Sequence, residues 1–211
     1  MNKIKSLNKK ISKVVPLLFQ KIFNTYFIKC HYFKNKIDIN NSYNLDIKPV
    51  KLKYEDFLNS DSTEFSKEKL NLIKKRLNSG NYVAYGEFID GKLAYSTWIS
   101  FKYFSIQIVN NQIQLSDDEA VLEDSFCHPY YRGRGLHSMY NMFRLQLIHS
   151  ASKSFVIVLV FSNNLAALKT QENSGLINVG SFKIGKILGF PFTTFNKDRL
   201  DKKFNSIIAN K

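Results

Sequence analysis

The chain has 211 residues, 44% of them hydrophobic, with 18 Phe and 11 Tyr. That is ample core for one domain of ordinary size. The formal net charge is +14; two cysteines, Cys30 and Cys127, exclude a disulfide framework, and no stretch reaches the ~20 apolar residues of a membrane-spanning helix.

The charge is unevenly spread. The first 37 residues hold nine lysines and no acid. Ile4, Leu7, Ile11, Val14 or Val15, Leu18 and Ile22 recur there at three- and four-residue steps. This predicts an amphipathic helix with a lysine-rich face, kinked or divided at Pro16. The apolar run from Val14 to Phe19 is too short for a signal peptide and is broken by that proline. Residues 1–37 are read as a basic arm, and 38–211 as the domain. Two roles suit the arm. One is peripheral contact with an anionic membrane surface, at ~1 kcal/mol per well-placed lysine. The other is docking on the domain, or on a second copy in a homodimer. A reducing cytoplasm is the expected compartment, reaching at most to the inner face of the membrane. The Lys-, Asn- and Ile-heavy composition is that of a chain from an AT-rich bacterial genome.

Residues 35–45 are polar and Asn-rich, a junction signal. Residues 46–54 alternate as a first strand, with Pro49 confining it to an edge or bulge. Glu55 to Leu58 begin a short helical turn. Ser66 is the expected N-cap of a helix over 67–79, with Leu70, Ile73 and Leu77 as its stripe and Gly80 as its stop. Strands over 82–89 and 92–101 flank Asp90 and Gly91, a strong hairpin turn. Trp98 and the Tyr- and Phe-rich hairpin (Tyr82, Tyr85, Tyr95, Phe101, Tyr103, Phe104) read as core, with some of the rings open to lining a pocket for a sugar ring. Strands over 103–109 and 112–115 pair around Asn110 and Asn111. Asp117, Asp118 and Glu119 read as a solvated turn. A strand over 120–127 follows.

After it, Leu136, Met139, Tyr140, Phe143 and Leu147 stand at helical spacing. Residues 155–161 are a continuous apolar run of strand length, as in a buried central strand. Asn163 and Asn164 mark a helix start. Strands over 177–184 and 186–192 and a polar helix near 197–209 complete the chain. The pattern is that of a mixed α/β sheet.

Between strand and helix, Arg132, Gly133, Arg134 and Gly135 must turn the chain sharply. A glycine-bearing turn that opens a helix presents unpaired N–H groups at the positive end of the helix dipole. Two arginines add bidentate phosphate contacts. The turn reads as a pyrophosphate cradle or as a plain surface turn. A Walker A loop is excluded, because Leu136 and His137 stand where Lys and Ser or Thr are needed. A dinucleotide fingerprint fits poorly, because Ser138 stands in place of its third Gly.

The run Cys127-His128-Pro129-Tyr130-Tyr131-Arg132-Gly133-Arg134-Gly135-Leu136 resembles the acetyl-CoA motif of the GNAT acetyltransferase superfamily. Cys127 takes the motif's Val position, Leu136 its Ile position, and His137 replaces its last small residue. Asn164, Ala167 and Gly175 are similar to the second motif, with Leu176 for its Phe and Gln171 where many members carry a Tyr that protonates the leaving thiolate. The resemblance covers roughly residues 81–190.

It implies a mixed, mostly antiparallel twisted sheet with helices on both faces. A parallel strand pair splays apart in it at the cofactor site. It also implies acetyl-CoA as co-substrate. Pantetheine lies against the strand edge at Phe126, Cys127 and His128, facing Phe161 and Ser162. The diphosphate sits on the amides of Arg132 to Ser138, namely Arg132, Gly133, Arg134, Gly135, Leu136, His137 and Ser138, and Asn164 helps hold the pantetheine. The acetyl group passes to an amine or hydroxyl of a small-molecule acceptor, for which an amino sugar of bacterial surface-polysaccharide assembly is one expectation.

Glu123, Asp124 and His128 are the candidate bases. Strict alternation puts Glu123, Ser125 and Cys127 on one face, Asp124 and Phe126 on the other. Each acid has a second reading as an ion-pair partner, His128 as a turn residue, and Cys127 as a small buried hydrophobe rather than a nucleophile. The four His residues show no ligand spacing, so no metal is expected. A CoA-binding protein without catalysis is the alternative. The basic arm comes with no nucleic-acid motif, so nucleic acid is not the expected partner.

Overall fold

The computed structural model describes residues 26–37, 46–106, 111–187 and 190–195. Its elements run β1 (Tyr26–Lys36), β2 (Val50–Lys51), α1 (Tyr54–Leu58), α2 (Lys67–Asn78), β3 (Tyr82–Ile89), β4 (Lys92–Ser100), β5 (Tyr103–Ile106), β6 (Asn111–Gln114), β7 (Glu119–Cys127), a 3-10 turn (Pro129–Tyr131), α3 (Leu136–Ser150), β8 (Phe155–Phe161), α4 (Leu165–Asn173), β9 (Ile177–Ile187) and β10 (Phe190–Phe195). Eight strands form one sheet in the order β10-β9-β1-β8-β7-β4-β3-β2, and β5 with β6 forms a separate ribbon. In the sheet β7 and β8 pair in parallel, and the other neighbours are antiparallel.

Local chemistry accounts for the element ends. Ser66 Oγ accepts from Lys69 N at 3.4 Å and caps α2. Asp90 and Gly91 take φ of +52° and +73°, as a two-residue hairpin turn requires. The two faces are covered differently. Leu52, Phe57, Phe65, Ile73 and Trp98 pack beneath α1 and α2, with Trp98 stacked on Phe57 at 5.6 Å between ring centroids. Leu122, Leu145, Ile148, Val156 and Val158 pack on the opposite face beneath α3, with Ala167 and Leu168 of α4 against them. Each such side chain, once fully buried, contributes about 1.5–3 kcal/mol.

Three expectations are corrected. Residues 26–36 are not part of an arm: β1 is inserted in the sheet, pairing Cys30 with Phe161 of β8 and Tyr26 with Lys186 of β9. The amphipathic helix expected before it lies outside the described residues, as do the turn at 107–110 and the helix expected near 197–209. The first strand shrinks to Val50 and Lys51, an edge beside β3. Glu119 is not solvated but buried, its carboxylate accepting from Ser116 N at 2.9 Å where β7 begins. Among the described residues no helix is long and apolar enough to cross a membrane.

The feature that matters for function lies at the sheet's centre. β7 and β8 pair from Glu119 opposite Phe155 to Leu122 opposite Val158, and then part. β7 runs on to Cys127 against β4 alone, and β8 to Phe161 against β1 alone. The parting coincides with a bulge. Thr97 faces Ser125, but its neighbour Trp98 faces Glu123, which leaves Asp124 unopposed at φ +28°. A bulge bends its strand and sharpens its twist.

Candidate active site

The mouth of the parted strands is closed by the turn after β7. His128 caps the 3-10 turn, its Nδ1 accepting from Tyr130 N at 3.3 Å. Tyr131 is buried and donates its hydroxyl to Ile89 O at 3.0 Å, pinning the turn to the β3–β4 hairpin. The chain then reverses through Gly133 and Gly135 at φ +78° and +77°, where a side chain would be strained. Gly135 is the N-cap of α3 and has no side chain to occupy the first-turn amides. The first bond of the helix is Met139 N to Gly135 O at 3.1 Å. The amides of Gly133, Arg134, Gly135, Leu136, His137 and Ser138 consequently have no acceptor among the described residues.

The expected cradle is shortened by one amide. Arg132 N is already donated to Pro129 O at 3.3 Å. Its side chain contributes instead, Nε donating to Cys127 O at 3.2 Å. Arg134 spreads its guanidinium over Tyr131 and Tyr130, 5.1 and 5.7 Å from the ring centroids.

From the cradle a cleft of about 970 Å³ runs between β7 and β8 to α4. Gly133, Gly135, Leu136, His137 and Ser138 line one end, and Asn164 lines it from α4. Asn164 caps α4, its Oδ1 accepting from Ala167 N at 3.1 Å, which leaves its amide NH2 for a guest. Cys127 lines the cleft as well. Burial pushes its thiol pKa up, against the pull of Arg132, so it stays a neutral thiol. His137 does not crowd the amides: its Nδ1 turns to the Tyr95 hydroxyl at 2.7 Å. Burial, helped by Arg144, holds its pKa down to about 4, so the ring is neutral at pH 7.

The three candidate bases do not stay together. Glu123 and Asp124 line the main cleft. Phe126 and His128 line a second cleft of about 450 Å³, near α1 and the loop after it. His128 Nε2 lies there 3.8 Å from Asp61 Oδ2. Phe126 packs its ring on Phe65 at 5.0 Å between centroids.

The strand bulge also overturns the expected alternation. Glu123 is carried to the face of Phe126 and Trp98, away from Ser125 and Cys127. There Arg76 of α2 reaches both acids, NH2 to Glu123 Oε2 at 3.3 Å and NH1 to Asp124 Oδ2 at 3.1 Å. Ser100 donates to Glu123 Oε1 at 2.9 Å. Burial nevertheless pushes Glu123 up to about 7, with Arg76 and Ser100 opposing it and Asp124 assisting. A carboxyl group poised there is suited to take a proton near neutrality. Because Arg76 opposes the rise, Arg76→Met is expected to move the Glu123 titration above pH 7. Carboxyl-resolved NMR or infrared titration checks it, and an unmoved midpoint would show that Arg76 does not act on it.

Sequence reasoning missed Arg76 and Arg144; Tyr95, expected as core or as a pocket-lining ring, is buried and lines the cleft. Arg76 sits in the last turn of a helix it had placed, but nothing local says that β7 lies opposite. Arg144 did leave a signal: it stands four residues after Tyr140, where a buried stripe leaves little room for charge.

No protein-family model matches the sequence, and no curated protein matches it. Solved structures match by fold. A protein from Novosphingobium aromaticivorans, described as a GNAT-family acetyltransferase, aligns at TM-score 0.55 and 14% identity over 76% of this chain and 64% of its own. A GNAT-family acetyltransferase from Colwellia psychrerythraea aligns at 0.52 and 15%, over 81% and 56%. A Drosophila protein aligns at 0.55 and 12%, over 84% and 57%. The chain thus spans less than two thirds of the length of each. Its fold is that of the GNAT superfamily, a mixed sheet with a splayed parallel pair and helices on both faces.

Proposed function

We propose that this GNAT-fold chain is an acyl-CoA-dependent acyltransferase, with acetyl-CoA as the expected donor. One observation carries the reading. Six consecutive main-chain amides, Gly133 to Ser138, lead into α3 without acceptors among the described residues, and all of these residues but Arg134 line a cleft between two parting strands. A diphosphate supplies the acceptors such a helix start lacks. The side chain of Arg132 adds charge at that end, and the parted edges of β7 and β8 leave room for an extended pantetheine arm.

The transfer needs no covalent enzyme intermediate. An amine or hydroxyl attacks the thioester carbonyl, the new C–N or C–O bond forms, and the C–S bond breaks to release CoA. Glu123 accepts the nucleophile's proton. The chain otherwise positions the partners and excludes water. The acceptor class proposed is a small-molecule amine or hydroxyl. An amino sugar, or membrane contact, draws support only from the basic first 37 residues, whose described part is strand β1.

The test is a thermal shift followed by thiol release. At 100 times Kd, acetyl-CoA is expected to raise Tm by about 5–10 °C, from about 2.7 kcal/mol of linkage. Absence of a shift would remove the reading. One observation favours a second reading, CoA binding without transfer: Gln171, whose Oε1 accepts from Asn141 Nδ2 at 3.4 Å, has an amide too weakly acidic to protonate a leaving thiolate. A shift without thiol release across amines and amino sugars would select it.

A further inference from the structure

The same cleft is lined by a buried cation that has no counter-anion among the described residues. Arg144 of α3 is 2% exposed and lines the cleft. Its NH2 donates to Asn141 Oδ1 at 2.9 Å and its NH1 to Glu123 O at 3.4 Å. Its Nε, also buried, has no partner among the described residues. No carboxylate forms an ion pair with it among the described residues, because the bulge has carried the Glu123 carboxyl to Arg76 on the other face. Burying a guanidinium without an opposite charge is costly, and a neutral acceptor satisfies its hydrogen bonds but not its charge.

Its neighbours are donors or neutral. Asn141 is bonded through its Nδ2 to Gln171 Oε1 at 3.4 Å, which fixes the Gln171 amide and leaves its NH2 as the spare group. Gln171 is 2% exposed and lines the cleft too. His137 is neutral and brings no second cation.

Position says which part of a ligand would meet this pair. The cradle is the first turn of α3, and Arg144 lies eight residues further on, about 12 Å along the axis. Its contact with Glu123 O lies one residue past the last β7–β8 pair. A ligand held by its phosphates at the cradle and threaded between the strands reaches this point last, with its acyl end.

We infer that Arg144 and Gln171 form an anion subsite that selects acyl-CoA donors whose acyl group ends in a carboxylate, of malonyl or succinyl size. This rests on the reading of the cleft as an acyl-CoA site.

The test uses calorimetry on the whole chain with free CoA and two stable CoA thioethers of equal length, S-propyl-CoA and S-(2-carboxyethyl)-CoA. The carboxylate form is expected to bind at least ~10-fold tighter than the propyl form. Arg144→Met is expected to erase that ratio, and Arg144→Lys, which keeps the charge, to retain part of it. Equal binding of the two thioethers by the unaltered protein, or tighter binding of the propyl form, would overturn the subsite and leave the CoA reading standing. No binding of free CoA would remove both.

Discussion

Gly135→Glu is expected to weaken CoA binding by at least ~100-fold, about 2.7 kcal/mol, while the protein still unfolds cooperatively. The loss has two sources of different size. Gly135 sits at φ +77°, so any L side chain there carries about 1–2 kcal/mol of strain. The space is open: a Cβ would meet nothing nearer than Met139 Cε at 3.9 Å. Folding is therefore perturbed modestly. The carboxylate, however, lands among the free amides of the first turn, where it satisfies them itself and repels a diphosphate. Gly135→Ala carries the strain without the charge and is expected to lower Tm by a similar amount while costing far less affinity. Calorimetry on both variants separates the terms, and CoA affinity unchanged in the Glu variant would count against the cradle.

Glu123→Gln is expected to lower the rate of acyl transfer by about 10²–10⁴-fold, the usual worth of a positioned general base. The pH dependence carries the sign. With Glu123 at about 7, the reactive carboxylate accumulates as pH rises through 7, so log kcat/KM climbs and then levels. Gln cannot ionise, so that limb disappears from the variant. Stability moves oppositely. A carboxyl group whose folded pKa is raised from 4.5 to about 7 favours the folded state below pH 4.5, and that contribution is lost as pH rises through 7. Glu123→Gln is thus expected to be the more stable protein above neutrality, because its buried amide carries no charge. A rate profile that keeps its acid limb in the Gln variant would assign the proton transfer to another group.

The two expectations draw on different levels of structure. The turn into α3 was legible because it is local. Pro129, Gly133, Gly135 and the stripe from Leu136 to Leu147 specify a tight turn into a helix, and free first-turn amides follow from helix geometry alone. The hairpin at Asp90 and Gly91, the cap at Ser66 and the apolar strand from Phe155 to Phe161 were legible for the same reason, each encoded within a few neighbouring residues.

Glu123 was visible in the sequence as an acid before the cradle, but its direction was not. Alternation put it with Cys127; the bulge at Asp124 put it with Arg76. Nothing in the residues around Asp124 announces that bulge, because a bulge is a mismatch between two strands and belongs to neither alone.

Strand β1 was hidden differently. Its lysines, continuous with those before them, read as an arm, and only pairing with β8 and β9, more than a hundred residues away in sequence, makes it a strand of the sheet. Sequence by itself determined the turn, the helix it opens and the free amides of that junction, since backbone angles and periodicity are properties of a short stretch. Tertiary structure alone decided which face Glu123 takes, what Arg76 and Arg144 meet, and where β1 lies, since register and strand order are set by contacts between segments that no local pattern relates.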